Sequence, residues 1–279
     1  MRVGANLPAP VRAFDAAAGR FDERFGHWQS VAAQRRAVRE YLLNVFPSNA
    51  SLLELGAGTG EDALCLLARG NRIVVTDGAP AMVARAAAKM RGAGYHERAA
   101  VEQLVLEDVG VFAARRRAAS AAPFDGVYSN FGALNCLADP TLLAAPLAAL
   151  VRPRAPCVFV VFGPFSPGEL VLQLFRGDLR AAVRRLRRGA VPAAIGGLEF
   201  TVWYRTPAAW TRAFAPWFHI RHVRGIGILV PPSAAEPGIS RFPSLIRALE
   251  AADRWLAAPL ALLGDQVLLH FERTDHPAP

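Results

Sequence analysis

The 279-residue sequence predicts an α/β protein with a doubly wound, mainly parallel sheet and helices on both faces. Three observations lead to this prediction. Short apolar runs of strand length alternate with helical segments from Ser51 onwards. The first run, which reads LLELGAGTGE over residues 52–61, ends in glycine at alternate positions. An acid, Asp77, ends the second run about 20 residues after the first of these glycines.

The elements can be placed along the chain from the apolar periodicity. Apolar residues recur at helical intervals over residues 11–46, so we expect residues 1–50 to form an N-terminal helical cap. Strands are expected at residues 51–56, 72–76, 100–106, 124–129, 157–162, 219–229 and 264–272. Helices are expected at residues 59–69, 80–90, 170–188 and 241–256, and from Pro207 onwards. An additional strand is expected at residues 197–205.

Composition limits the class of protein but does not identify a function. Hydrophobic residues make up 53% of the chain, enough for a sizeable core in a single domain. The net charge of +9 is carried almost entirely by arginine in an alanine-rich chain, so we regard nucleic acid as an unfavoured partner. Three widely spaced cysteines without a C-x-x-C pair predict neither a metal site nor a disulfide. Without an apolar signal core or a membrane-spanning run, we expect a cytoplasmic protein.

The glycine turn predicts a cofactor cradle. Gly56 and Gly58 allow positive φ and a close approach of the backbone to a ligand. In the dinucleotide pattern G-x-G-x-x-G, the third glycine would fall at Glu61, where a carboxylate would repel a pyrophosphate. Glu54 suits the ammonium group of an amino-acid ligand better than it suits a phosphate.

Residues 54–60 match the pattern E/D-x-G-x-G-x-G and so resemble motif I of the class I S-adenosylmethionine-dependent methyltransferases. The resemblance implies a Rossmann-like sheet of seven strands whose last strand is antiparallel, and S-adenosyl-L-methionine as the cofactor. The segment around Phe21 and Asp22 is similar to the N-terminal cap of small-molecule methyltransferases related to the ubiquinone-biosynthesis C-methyltransferases. In those proteins an aromatic residue and an aspartate close over the cofactor.

The same resemblance implies roles for individual residues. Asp77 would accept the ribose hydroxyls, Met82 would pack on the adenine, and Asn130 would lie beside the sulfonium. Asp108 would bind the adenine amine, and Val109 would contact the ring through its backbone. The full set of cofactor-binding residues expected is Glu54, Gly56, Ala57, Gly58, Gly60, Asp77, Gly78, Met82, Asp108, Val109 and Asn130. Asn135 is a second polar candidate near the methyl group, or a helix cap.

Residues 164–206 and 231–263 are expected to be insertions within a single methyltransferase domain of residues 1–279, and to form a lid over the substrate. Four arginines of the first insertion are spaced by four, so a continuous helix would place them in one stripe. These are Arg176, Arg180, Arg184 and Arg188. The stripe could contact an anionic substrate, nucleic acid or lipid head groups, or be a solvated helix face.

We therefore expect an S-adenosylmethionine-dependent methyltransferase that acts on a small organic metabolite. His27, His219 and His222 could act as bases, but none is assigned, and no catalytic residue is named. Three alternatives stay open: an RNA methyltransferase, an NAD-type oxidoreductase, and a non-catalytic partner protein with this fold. Against the first, SNFG stands at residues 129–132, where a catalytic NPPY tetrad would be expected. Sequence leaves the acceptor and the oligomeric state open.

Overall fold

The computed structural model describes residues 7–187 and 189–276, apart from the side chain of Arg24. In chain order the strands are β1 (Ser51–Leu55), β2 (Arg72–Asp77), β3 (Ala99–Gln103), β4 (Gly126–Ser129), β5 (Pro156–Phe162), β6 (Val191–Ile195), β7 (Leu198–Val202), β8 (Phe218–Ile226) and β9 (Gln266–Arg273). The helices are α1 (Ala9–Ala17), α2 (Phe21–Gly26), α3 (Gln29–Val45), α4 (Ala63–Leu67), α5 (Pro80–Gly92), α6 (Val109–Ala118), α7 (Thr141–Leu150), α8 (Pro167–Phe175), α9 (Leu179–Ala182), α10 (Pro207–Phe214) and α11 (Pro243–Leu256).

Seven strands form one sheet in the order β3-β2-β1-β4-β5-β9-β8, and β6 pairs with β7 as a separate hairpin. Neighbouring strands from β3 to β5 pair in parallel. Only β9 runs against the others, antiparallel to both β5 and β8. This order confirms the predicted doubly wound, seven-stranded fold with an antiparallel closing strand.

Alternate side chains of β1 point to opposite faces of the sheet and join two separate cores. Leu53 and Leu55 pack with the helices α6, α7 and α10, where Trp210 and Phe214 are fully buried. Leu52 packs on the other face with α3, α4 and α5, against residues such as Phe46. Both faces of β1 are covered, and its residues are apolar apart from Ser51 and Glu54.

Two predicted elements differ from the structure near the sheet. The helix after the glycine turn begins at Ala63, because residues 59–62 form turns, and it ends at Leu67. The third strand ends at Gln103 rather than residue 106, and a short 3₁₀ helix, Leu106–Asp108, follows it. The predicted bounds therefore overstate both regular elements beside the cofactor cradle.

The continuous basic helix at residues 170–188 is wrong. The left-handed Gly177 ends α8, Asp178 caps the short α9, and a 3₁₀ turn, Arg184–Leu186, follows. The arginines therefore do not form one helical stripe, and Arg188 lies outside the described residues. The single extra strand predicted at residues 197–205 is in fact the second strand of the β6–β7 hairpin.

The predicted cap and insertions lie against each other in the fold. Helix α1 contacts the β6–β7 hairpin and α5, whereas α11 packs on α3. Their role as a substrate lid stays a prediction. In the described residues, no helix combines the length and the apolar character needed to cross a membrane.

Candidate active site

A cavity of about 330 Å³ lies at the carboxyl ends of the parallel strands. Gly56 follows β1, Asp77 ends β2 and Asn130 follows β4, and all three line the cavity. Because β9 is antiparallel, its first residue, Gln266, pairs with Phe162 at the end of β5 and also reaches this edge. The cavity therefore extends along the sheet from β2 to β9, a separation of roughly 19 Å at about 4.8 Å per strand.

The glycine turn adopts the conformation that the sequence predicts. Gly56, Gly58 and Gly60 have φ angles of 64°, 57° and 75°, which strongly favour glycine. A Cβ at Gly56 would lie 2.3 Å from the Cβ of Ala133, so the backbone packs tightly there. A Cβ at Gly58 would meet no atom closer than 4.0 Å, the ring of Phe21, and would project towards open space. The turn thus leaves room for a ligand directly above Gly58.

Asp77 braces this turn. Its Oδ2 accepts a hydrogen bond from the N–H of Gly58 at 2.8 Å, and its Oδ1 accepts one from the N–H of Ala79 at 2.8 Å. Burial raises the pKa of the carboxyl group, and the two backbone hydrogen bonds oppose that rise. Each oxygen keeps a second lone pair, so Asp77 can accept hydroxyl groups of a ligand while it holds the turn.

Three carboxyl groups lie close together beside the turn. Glu54 is 1% exposed, and its Oε2 is buried without a hydrogen-bond partner. Desolvation raises the pKa of Glu54 well above its usual range, and the neighbouring carboxylates of Asp62 and Asp77 raise it further. All three carboxyl groups line the same cavity. A cationic ligand group at this point would stabilise the ionised form of Glu54.

Asp62 is the centre of a polar network that the sequence did not reveal. It accepts hydrogen bonds from Arg39 Nε at 2.9 Å and from Asn130 Nδ2 at 2.8 Å, and Arg35 Nε lies 3.5 Å away. Asn130 lines the cavity as expected, but its Oδ1 already accepts the N–H of Phe131 at 2.8 Å. The amide of Asn130 is therefore largely used to orient Asp62.

The N-terminal cap closes over the turn through a polar contact and an aromatic cluster. Asp22 Oδ1 accepts a hydrogen bond from Thr59 at 2.6 Å, and Lys89 lies 3.0 Å from Asp22 Oδ2. Burial opposes ionisation of Asp22, but the bonds from Thr59 and Lys89 outweigh it and lower the pKa. Phe21 and Phe25 line the cavity with their ring centroids 4.7 Å apart.

Glu61, whose carboxylate was expected to disfavour a dinucleotide cofactor, forms ion pairs with two basic side chains. Lys89 Nζ lies 3.0 Å from Glu61 Oε2, and Arg39 Nη2 lies 3.3 Å from Oε1. Desolvation raises the pKa of Glu61, yet the hydrogen bond and charge of Lys89 dominate and lower it. Its charge is thus partly offset, and the repulsion of a pyrophosphate is weaker than the sequence suggested.

The residues expected to contact the adenine differ in their position relative to the cavity. Met82 is 1% exposed, packs with Ala18 and Ala79, and lines the cavity, as does Gly78. Asp108 and Val109 are not among the residues that line the cavity, and their contacts with the adenine stay a prediction. Val109 is fully buried at the start of α6, because the early end of β3 turns the chain into a 3₁₀ helix. The residues that line this part of the cavity instead are Leu104, Leu106 and Glu107.

The opposite part of the cavity has a buried polar wall. Asp265, 2% exposed, accepts Arg185 Nη2 at 2.6 Å on Oδ1 and Gln34 Nε2 at 3.3 Å on Oδ2. Gln266 Nε2 donates to Gln34 Oε1 at 3.0 Å, while the buried Gln266 Oε1 has no partner. Arg185 lies over the ring of Phe162, 5.2 Å from its centroid. Gln34 and Asp265 are 231 positions apart, so no local pattern could have joined them.

The remaining candidates lie elsewhere. His27, His219 and His222 do not line the cavity. Asn135 is a structural residue: its Nδ2 donates to the carbonyl oxygens of Phe162 at 2.9 Å and Trp203 at 2.8 Å. The three cysteines are free thiols, and Cys136 lines the cavity. Besides carboxylates and amides, the lining includes Arg35, Thr59 and Ser233, but no histidine.

Comparisons with known proteins agree with this geometry. A family model described as a methyltransferase domain matches residues 53–157, from β1 into β5. A search of the curated proteins finds no match to the chain.

Several solved structures share the fold. An S-adenosylmethionine-dependent methyltransferase from Mesorhizobium loti is 18% identical, with a TM-score of 0.51 over 86% of this chain and 98% of that one. The geranyl diphosphate C-methyltransferase of Streptomyces coelicolor, solved with Mg²⁺, geranyl diphosphate and S-adenosyl-L-homocysteine, is 14% identical. Its TM-score is 0.52, over 86% of this chain and 80% of that one. The [4+2]-cyclase SpnF is 15% identical, with a TM-score of 0.57 over 97% of this chain and 99% of that one. At these identities the likeness establishes the fold.

Proposed function

We propose that the protein is an S-adenosylmethionine-dependent methyltransferase that acts on a small, mostly apolar organic molecule, and the match of residues 53–157 to a methyltransferase domain supports this proposal. The observation that carries the proposal is the single cavity that joins the glycine turn to an apolar chamber with a polar wall. One ligand alone would not explain both ends, because β2 and β9 lie at opposite sides of the cavity.

The cofactor suits the first end. The residues that would hold it are Asp77 at the ribose, Met82 and Leu104 beside the base, and Glu54 near the amino-acid tail. When bound, S-adenosylmethionine supplies an activated methyl group on a positively charged sulfur. The buried carboxyl groups of Glu54 and Asp62 suit the positive charge of such a ligand, which would favour the ionised form of Glu54.

The acceptor suits the second end. Apolar side chains such as Val31, Phe131 and Phe162 line it, which favours an organic molecule with little charge. Asp265 and Gln266 add oxygen atoms that can accept hydrogen bonds. We infer that the acceptor carries a hydroxyl or N–H group that pairs with this wall, because an acceptor without one would leave buried polar atoms unpaired.

The chain's own residues can promote the transfer by holding both molecules in place and excluding water. Phe21 and Phe25 cover the cavity on the side of the N-terminal cap. Asp265, which its bond to Arg185 holds in place, could accept a hydrogen bond from a hydroxyl acceptor and so orient it. Positioning is thus the main contribution expected from the protein.

The direct test is transfer of a labelled methyl group. Purified protein is incubated with S-adenosylmethionine that carries a tritiated methyl group. Each reaction also contains one fraction of a cell extract: small molecules, RNA or protein. We expect label in the small-molecule fraction. Label only in RNA or protein would contradict the proposal.

A matched pair of variants assigns the activity to the cavity. Gly58→Val fills the space above the turn and should abolish transfer. Gly94→Val introduces the same side chain at another positive φ, 76°, with nothing within 4 Å of its Cβ and away from the cavity. It should retain transfer. Loss in both variants would show that backbone strain, rather than the cofactor site, decides activity.

A further inference from the structure

The first insertion carries an exposed apolar surface that the cavity does not use. Six large apolar side chains in a stretch of sixteen described residues are exposed: Val171, Leu174, Phe175, Leu179, Val183 and Leu186. Phe175 is 88% exposed and Leu179 is 67% exposed. Within residues 53–157, by contrast, only Val111 and Leu142 are large apolar side chains of this kind. A cluster of this size marks an interaction surface.

The local structure explains how these side chains share one side of the segment. Val171, Leu174 and Phe175 are spaced by three and four along α8 and therefore lie on one face. Gly177, at a φ of 73°, reverses the chain, so that α9 packs against α8. The segment is polar inside and apolar outside, since the buried Glu169 pairs with Arg185 beneath it.

Basic residues surround the apolar side chains. Arg176, Arg180 and Arg187 are exposed in the same segment. Asp178 is the only acid between residues 170 and 189, and its carboxylate caps α9 by accepting the N–H of Ala181. We define the basic apolar patch as the six apolar side chains together with these three arginines.

We propose that the basic apolar patch docks on the surface of an anionic lipid bilayer, with Phe175 and Leu179 inserted among the lipids and the arginines on the phosphates. Charge selects this occupant. A second copy of the patch would bring like-charged arginines together, whereas an anionic bilayer accepts apolar and basic side chains at once. The attachment is interfacial and needs no membrane-spanning helix.

The patch is connected to the polar wall of the cavity. Arg185, which follows α9, reaches inward to Asp265, so that the segment with the outer patch also carries the residue that holds Asp265 of the inner wall in place. This link to catalysis rests on the proposed function: docking would bring the cavity to the place where a membrane-dissolved acceptor is concentrated.

Vesicle co-sedimentation of the full chain tests the docking directly. The probes are vesicles of phosphatidylcholine alone and of phosphatidylcholine mixed with phosphatidylglycerol. We expect binding to the anionic vesicles, weakening as salt is raised. Phe175→Ser combined with Leu179→Ser should lower this binding at least about tenfold, because each removes apolar area that enters the lipid. Both side chains are exposed, so the variant should keep its fold.

A control variant, Val111→Ser combined with Leu142→Ser, removes two exposed apolar side chains from the methyltransferase core and should bind like the wild type. Arg180→Glu combined with Arg187→Glu should weaken binding to the anionic vesicles and leave binding to phosphatidylcholine vesicles unchanged.

The proposal is overturned if the wild type fails to sediment with the vesicles, or if the control variant loses as much binding as the Phe175 and Leu179 variant. Self-association of the wild type that the Phe175 and Leu179 changes abolish also overturns it, because the occupant is then a second copy. Calorimetric binding of S-adenosylmethionine in the same preparation keeps this outcome separate from a failure of the proposed function.

Discussion

Glu54 shows at the scale of one residue how burial links folding to protonation. Because its pKa is raised in the folded protein, that state binds a proton at pH values where the unfolded chain does not. The contribution of this proton to stability is complete at low pH and is lost as the pH rises towards the raised pKa. The ionised form, which a cation would favour, is thus costly in the cofactor-free protein.

Glu54→Gln should therefore flatten the fall in Tm of the cofactor-free protein as the pH rises from the ordinary pKa of a glutamate towards the raised pKa of Glu54. The same variant should weaken binding of S-adenosylmethionine, because the amide lacks the charge that pairs with the ammonium group of the ligand. Scanning calorimetry across pH measures the first effect and titration calorimetry the second. Glu97→Gln, at an exposed position outside the cavity, serves as the control. A Tm profile identical to that of the wild type would contradict the assignment.

Asp77→Ala should weaken binding of S-adenosylmethionine by about 1 to 3 kcal/mol, the scale of hydrogen bonds to a charged group. Part of this loss arises because the N–H of Gly58 also loses its partner. Asp139→Ala provides the comparison, since Asp139 also accepts a backbone N–H, that of Thr141, but in an exposed turn. Titration calorimetry that gives one affinity for all three proteins would exclude a ribose contact at Asp77.

At the scale of elements, the N-terminal cap is fastened to the cofactor turn by Asp22. This carboxylate links α2 to Thr59 in the turn and to Lys89 in α5. The aromatic pair of Phe21 and Phe25 alone could slide over the cavity, but a charge-assisted bond fixes its position. The cap should therefore control how fast the cofactor leaves.

Asp22→Ala should speed dissociation of S-adenosylmethionine about fivefold, equivalent to roughly 1 kcal/mol, with little change in the association rate. Stopped-flow displacement measures both rates. Glu23→Ala removes the neighbouring exposed carboxylate and should leave them unchanged. If Asp22→Ala alters association alone, the cap is not a latch.

Sequence predicted these elements where local chemistry decides them. The glycine turn was found correctly because left-handed φ angles at alternate positions strongly favour glycine. The basic helix was wrong because arginine spacing carries no information about the chain reversal at Gly177, which a closer weighting of the Gly-Asp pair would have signalled. The β6–β7 hairpin was half missed, since Pro192 and the small side chains of β6 give little strand signal.

At the scale of the whole molecule, Arg185 joins the first insertion to Asp265, which directly precedes β9 and lines the far end of the cavity. Both are buried, and Arg185 also pairs with Glu169. Contacts between residues so distant in sequence depend on the complete topology, so the polar wall could not be predicted. The same holds for Asp62, whose role depends on Arg39 of the cap and Asn130 after β4.

Asp265→Asn should raise the KM for whichever acceptor the labelling experiment identifies and so lower its turnover. Binding of S-adenosylmethionine should be unchanged. The physical reason is that the amide keeps the shape of the wall but weakens its ability to accept a hydrogen bond. Asp253→Asn is the control, a partly buried carboxylate outside this cavity that holds the loop at residues 228–230. Steady-state kinetics give kcat and the KM for the acceptor separately. Unchanged KM for the acceptor would remove Asp265 from the acceptor site.

The most direct test of the central claim is a crystal structure of the full chain grown with S-adenosyl-L-homocysteine. We expect density for the ligand in the cavity, with the ribose at Asp77 and the amino-acid tail near Glu54. Space next to Asp265 and Gln266 should stay open for the acceptor. Density for the ligand outside this cavity, or side chains that fill the space above Gly58, would contradict the site assignment and the function drawn from it.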